Sequence, residues 1–122
     1  MNIYESAEDY LERILMLNNE GKKVKSIDLA KSFNYSRASI SRAINNLADE
    51  GLIDIINGYL ILTKEGKDIA SKMLERHIKI SEFFISIGVK EKQALEDACK
   101  IEHDLSDETF DKFIKHIESM NK

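Results

Sequence analysis

At 122 residues, 43% of them hydrophobic, the chain can form one compact core or two small joined ones, and it is too short for a large catalytic domain. Its single cysteine excludes an internal disulfide, and with no secretory signal the expected setting is a reducing cytoplasm. No apolar run approaches the roughly 18 residues of a membrane span, so no membrane partner is expected. The net charge of -4 hides an uneven distribution. Lys22, Lys23, Lys25, Lys31, Arg37 and Arg42 give residues 20–50 six cations against four anions, a net +2, whereas residues 1–19 carry one cation against four anions, a net -3. A basic stretch of this kind suits phosphate binding even in an acidic chain.

No proline is present, and glycines sit mostly where the helical pattern breaks. Ser6 is the expected N-cap of a first helix, with Ala7, Tyr10, Leu11, Ile14 and Leu17 at helical spacing up to Gly21. Ser26 opens a short second helix that ends at Asn34-Tyr35, and Ser36 opens a third through Ile40, Ala43, Ile44 and Leu47 to Gly51. Two helices joined by a tight turn predict a helix-turn-helix. The β-rich runs Leu52–Ile56 and Tyr59–Thr63 flank Asn57-Gly58, a pair that accepts the positive φ of a type I′ turn, so a hairpin is predicted. A hairpin directly after a helix-turn-helix is the wing of a winged-helix domain. A long helix follows from Thr63 or Lys64 with the stripe Ile69, Met73, Leu74, His77, Ile80 and Phe84, stopping near Gly88. Lys90 to His103 reads as another helix, and Ser106-Asp107-Glu108 starts a last one with Phe110, Phe113, Ile114 and Ile117 on one side.

Within Ala98-Cys99-Lys100-Ile101-Glu102-His103, a helix puts Cys99, Glu102 and His103 on one face, apart from Ala94, Ala98 and Ile101. Thiolate, carboxylate and imidazole are all transition-metal ligands. The same residues also read as a small buried thiol and two polar groups decorating a helix C-terminus, and spacing leaves both readings open. His77, on its apolar stripe, reads equally as a core histidine. Asp9 and Glu12 lie one turn apart, away from the stripe of the first helix, where Asp9 completes a capping pattern and Glu12 is open to solvation. For nucleic acid the candidates are Ser36, Arg37, Ser39, Ser41 and Arg42 at the start of the third helix, where hydroxyls and guanidinium groups meet phosphates and base edges. The alternative is that the serines are ordinary caps. No catalytic residue is expected: there is no His-Glu-x-x-His helix, no phosphate-cradling glycine loop and no Gly-x-Ser-x-Gly elbow.

The order winged helix, long connecting helix and short helical unit, with Glu8-Asp9-Tyr10-Leu11-Glu12 near the start and Ile101-Glu102-His103-Asp104-Leu105-Ser106 near the end, resembles the diphtheria-toxin-repressor family of metal-dependent transcriptional regulators. The likeness covers essentially the whole chain, and its length resembles the manganese-transport-regulator branch, which lacks an SH3-like domain. The resemblance implies a mainly α fold: an N-terminal winged helix-turn-helix with a two-stranded wing over residues 1–70, then a helical metal-binding and dimerisation domain over residues 71–122, with the connecting helix beginning near residue 64. It implies metal ligands at Asp9, Glu12, His77, Cys99, Glu102 and His103. Cys99 replaces the glutamate of the manganese branch and is similar to the iron branch, Asp9 replaces a methionine of the iron branch, and Ser81 stands where a further acid is expected. The implied site is a hybrid that takes Fe(II) or Mn(II), with Co(II) and Zn(II) as in vitro substitutes. The implied function is a homodimeric repressor of metal-uptake genes that binds a double-stranded DNA operator, and the implied dimer surface draws on Ala94, Ala98, Ile101, Phe110, Phe113, Ile114 and Ile117. A winged-helix regulator that ignores metal and answers to a small molecule or protein is the alternative.

Overall fold

The computed structural model describes the backbone of residues 3–120 and the side chains of residues 7–120. It is mainly helical, in the order α1 (Ile3–Asn19), α2 (Ser26–Phe33), α3 (Arg37–Asp49), β1 (Ile53–Ile56), β2 (Tyr59–Leu62), α4 (Lys64–Ser86), α5 (Glu91–Ile101) and α6 (Asp107–Met120). The chain divides into two compact units, Met1–Lys72 and Met73–Lys122.

In the first unit, α1 runs from Ile3, so Ser6 lies inside the helix and is not the expected N-cap. Tyr4 and Glu5 contain no breaker that would delay the helix to residue 6. Ser26 is likewise the first helical residue of α2. The cap is Lys25, whose N–H donates to Asp28 Oδ2 at 2.8 Å. Asn34 ends α2 in the left-handed conformation at φ 56°, where asparagine is tolerated. Tyr35 N–H then returns to Ala30 O, which makes the tight turn into α3. Ser36 is the N-cap of α3, accepting from Ser39 N–H at 3.2 Å.

The wing pairs Ile53 with Leu62 and Ile56 with Tyr59, leaving Asn57 at φ 53° and Gly58 at φ 82° as its two-residue turn. Val24 O accepts from Leu60 N–H, which adds a short third stretch of backbone to the edge of β2. Leu11, Ile14, Leu29, Ile40, Ile53 and Leu60 fill the core beneath it.

Gly66 is the glycine that does not break a helix. It sits in the first turn of α4, and a Cβ there would lie 1.9 Å from Leu52 O. Thr63 explains the close approach: its Oγ1 donates to Gly51 O at 2.7 Å and accepts from Gly66 N–H, while its own N–H donates to Leu52 O. The start of α4 is thereby held against the backbone that leaves α3.

In the second unit, Ile80, Ala98 and Phe110 form the core, with Phe84, Leu105, Phe113 and Ile114 packed against it. Ala94 is also buried. Ala94, Ala98 and Phe110 therefore fill the interior of one chain and are not available as dimer surface. α5 ends at Ile101, two residues short of the expected His103. Glu102 O and Leu105 O accept from the Arg76 guanidinium of α4 at 3.2 and 2.7 Å, so these carbonyls take a tertiary partner in place of a further helical turn.

Gly66→Ala should lower the unfolding free energy read from urea denaturation by an amount on the order of 1–3 kcal/mol for overpacking against backbone, with the helical circular dichroism of the folded state kept.

Candidate functional site

The exposed face of α3 carries Arg37, Ala38, Ser41, Arg42 and Asn45, while Ile40, Ile44 and Leu47 are buried. Arg37, Ser41 and Arg42 are thus free of core duties. Ser36 and Ser39 are not, because Ser36 Oγ accepts from Ser39 N–H and donates to Ser39 Oγ at 3.0 Å. Their first role is the cap. Asn45, three residues after Arg42 on the same open face, was not marked by the sequence pattern. Its signal was available as the polar residue at i+7 from Ala38.

Two lysines flank the wing. Lys23 Nζ and Lys25 Nζ stand 5.4 and 4.9 Å from the centre of the Tyr59 ring, within the range in which a cation is attracted to the ring face. On the other side of the turn, Tyr10 meets Phe33 and Tyr35 edge-on, and Phe33 and Tyr35 stack at 5.8 Å. Burial pushes the Tyr10 phenol above its ordinary pKa, and Tyr35 and Asp9 push it the same way.

The candidate metal ligands of the first unit are Asp9 and Glu12 of α1. Glu12 is 5% exposed, so the reading of it as a solvated surface acid does not hold. Each offers a carboxylate oxygen, and those oxygens lie within 4.8 Å of one another. Two acids this close on a half-buried face repel unless a cation or proton intervenes.

In the second unit Glu102 is 0% exposed. His77 Nδ1 of α4 lies 3.0 Å from its Oε2, and His103 Nε2 lies 3.3 Å from its Oε1. An isolated buried carboxylate is costly, and here each oxygen faces an imidazole nitrogen. This is a preassembled N/O donor set of the kind that first-row divalent metals take. The expected face of Cys99, Glu102 and His103 is divided. Glu102 extends the buried row Ala94, Ala98, whereas Cys99 is exposed. Ser81, in the place of the further acid, is buried and donates to His77 O at 2.6 Å. It braces the turn of α4 that carries His77.

Sequence reasoning passed over Arg76. It is buried, its Nη2 pairs with Asp107, and its guanidinium carbon lies 4.8 Å from the centre of the Phe110 ring. The signal was legible as a charged residue in the middle of the Met73, His77, Ile80 stripe.

Two family models match the chain: the N-terminal DNA binding domain of iron dependent repressors over residues 2–59, and their metal binding and dimerisation domain over residues 63–122. A helix-turn-helix-type transcriptional regulator of Methanocaldococcus jannaschii is 36% identical over 112 residues, covering 88% of this chain and 89% of its own. The transcriptional regulator MntR of Escherichia coli O6:H1 is 34% identical over 110 residues, covering 89% of this chain and 71% of its own. Among solved structures, a manganese-dependent transcriptional repressor in complex with manganese superposes with a TM-score of 0.80 at 30% identity. That match covers 87% of this chain, which spans half the length of the repressor, 50%.

Replacing the cap and replacing the exposed cation should separate two roles on α3. Ser36→Ala should destabilise the fold by about 1 kcal/mol, and Arg42→Ala should leave unfolding within about 0.5 kcal/mol of the parent, both read from urea denaturation.

Proposed function

Because the chain belongs to the iron-dependent repressor family, we propose that it is a homodimeric, metal-activated DNA-binding regulator that represses metal-uptake genes in the cytoplasm in response to Fe(II) or Mn(II). Residues 1–70 form the DNA-binding domain and residues 71–122 the metal-binding and dimerisation domain. The observation that carries this reading is the fully buried Glu102 with an imidazole nitrogen against each carboxylate oxygen.

The ligand set is Asp9, Glu12, His77, Cys99, Glu102 and His103. A bound divalent cation would supply the positive charge that offsets these carboxylates. Before it binds, the Glu102 carboxylate is held toward the ring nitrogens of His77 and His103. Carboxylates and imidazoles suit Mn(II) and Fe(II) alike, while the Cys99 thiolate is the soft member that favours Fe(II), Co(II) or Zn(II) over Mn(II). The exposed position of Cys99 leaves room for this side chain to be exchanged without disturbing a core.

On the DNA side, α3 lies in the major groove. Arg37 and Arg42 meet phosphates or guanine edges, Ser41 and Asn45 face the bases, and Ser36 and Ser39 present the N-terminus of the helix to a phosphate. Two such helices in a symmetric dimer read half-sites about 34 Å apart. Metal and DNA then strengthen one another's binding by the same factor, because coupling between two sites is reciprocal.

Fluorescence anisotropy of a labelled duplex from upstream of a metal-uptake gene tests this reading, titrated anaerobically in chelator, Mn(II) or Fe(II). DNA binding should require metal, with a coupling of about 1–3 kcal/mol. Glu102→Gln should remove the metal response, and Cys99→Glu should shift the preference toward Mn(II). Arg42→Ala should reduce the salt slope of binding by about 1. Equal DNA affinity in chelator and in metal identifies a regulator that ignores metal and answers to another signal.

A further inference from the structure

Glu102 is the C-cap of α5, and His103 lies in the turn beyond it. That turn also takes bonds from another helix. α5 ends at Ile101, and the next regular element, α6, begins at Asp107. The backbone that leaves α5 makes two short-range bonds, Glu102 N–H to Ala98 O at 3.0 Å and Asp104 N–H to Ile101 O at 3.1 Å, and Ser106 Oγ accepts from Thr109 N–H at the start of α6. Three further fixed points come from one side chain of α4. Arg76 Nη1 donates to Glu102 O at 3.2 Å and to Leu105 O at 2.7 Å, and Nη2 pairs with Asp107. The guanidinium lies over Phe110, a member of the core with Ile80 and Ala98.

We propose that Arg76 is a positioning residue for metal binding, clamping residues 102–107 so that Glu102 and His103 present their donor atoms together with the adjacent His77. This inference rests on the reading of Glu102 and His103 as ligands.

Three observations support a geometric role over a purely electrostatic one. The charge of Arg76 is met by Asp107, so the clamp adds little net positive charge beside a site that takes a cation. Two carbonyls that bracket Glu102 and His103 are bonded by one nitrogen, and the planar fork of arginine reaches the carboxylate of Asp107 as well. A lysine ammonium is a compact point charge without that rigid fork. Finally, Arg76 precedes His77 in α4, so the helix that supplies one imidazole also fixes the backbone that supplies the other. The spacing between the two rings is then set by one rigid helix.

The test compares wild type, Arg76→Met, Arg76→Lys and Asp107→Asn in the full chain. Mn(II) affinity is measured by titration calorimetry on protein shown to be folded by circular dichroism. Amide hydrogen exchange of residues 102–105 is measured without metal. Outer partners of metal ligands typically contribute 10- to 100-fold in affinity, and Arg76→Met should lose Mn(II) affinity in that range. Arg76→Lys should recover part of the loss, and Asp107→Asn should show a smaller loss in the same direction. Exchange of residues 102–105 should accelerate in the metal-free Arg76→Met protein.

A merely structural arginine would lower the melting temperature while leaving the Mn(II) affinity of the folded protein unchanged. That result overturns the proposal, as does unaltered exchange of the segment. If Arg76→Met does not fold, the graded losses in Arg76→Lys and Asp107→Asn decide the matter, and wild-type affinity in both overturns it. Wild type that takes up no Mn(II), Fe(II) or Co(II) overturns the functional reading itself, and the role of Arg76 with it.

Discussion

Glu102 is a carboxylate without solvent contact, placed with an imidazole nitrogen against each of its oxygens at 3.0 and 3.3 Å. Burying such a group in apolar surroundings costs several kcal/mol unless it is paired. That requirement organises the whole of the second unit. α4 has to supply His77 at the right height, α5 has to end one residue earlier, and the following turn has to bring His103 back onto its neighbour. Core packing of Ile80, Ala98 and Phe110 fixes the helices, and Arg76 fixes the turn between them. The polar cluster and the apolar core are therefore two sides of one arrangement.

In the first unit the same economy appears in a different form. α1 buries Tyr10, Leu11, Ile14 and Leu15, and it also carries Asp9 and Glu12. α3 divides its residues cleanly: Ile40, Ile44 and Leu47 inward, Arg37, Ser41, Arg42 and Asn45 outward. Its first turn is closed by Ser36, and the preceding turn by left-handed Asn34, so the angle between α2 and α3 follows from local chemistry. At the other end, the Thr63–Gly66 contact with Gly51 and Leu52 fixes where α4 begins. α3 and the long helix α4 are thus anchored at either end of the same short stretch of backbone.

The contrast between Cys99 and Glu102 shows what separates a donor residue from a donor site. Both lie near the end of α5, three positions apart, and both are transition-metal ligands by chemistry. One is exposed and the other has no exposure at all. The buried carboxylate comes with two imidazole nitrogens already against it, whereas the thiol lies at the surface.

Local chemistry was readable from the sequence because its causes are local. Asn57-Gly58 specified the hairpin, Ser36 the start of α3, Asn34 the end of α2, and the spacing of Ile40, Ile44 and Leu47 the buried face, each through interactions between residues a few positions apart. The family motif around Ile101-Glu102-His103 likewise pointed to Glu102 and His103 as candidate ligands. The depth of Glu12 and Glu102, the early end of α5, the assignment of Ala94, Ala98 and Phe110 to the interior of one chain, and the closeness of Gly66 to Leu52 were decided only in the tertiary structure. Each depends on a partner distant in sequence: Arg76 is 26 residues from the carbonyl of Glu102 that it holds. Helical periodicity says which residues share a face, but not which face is covered or where a distant donor takes a carbonyl from the helix.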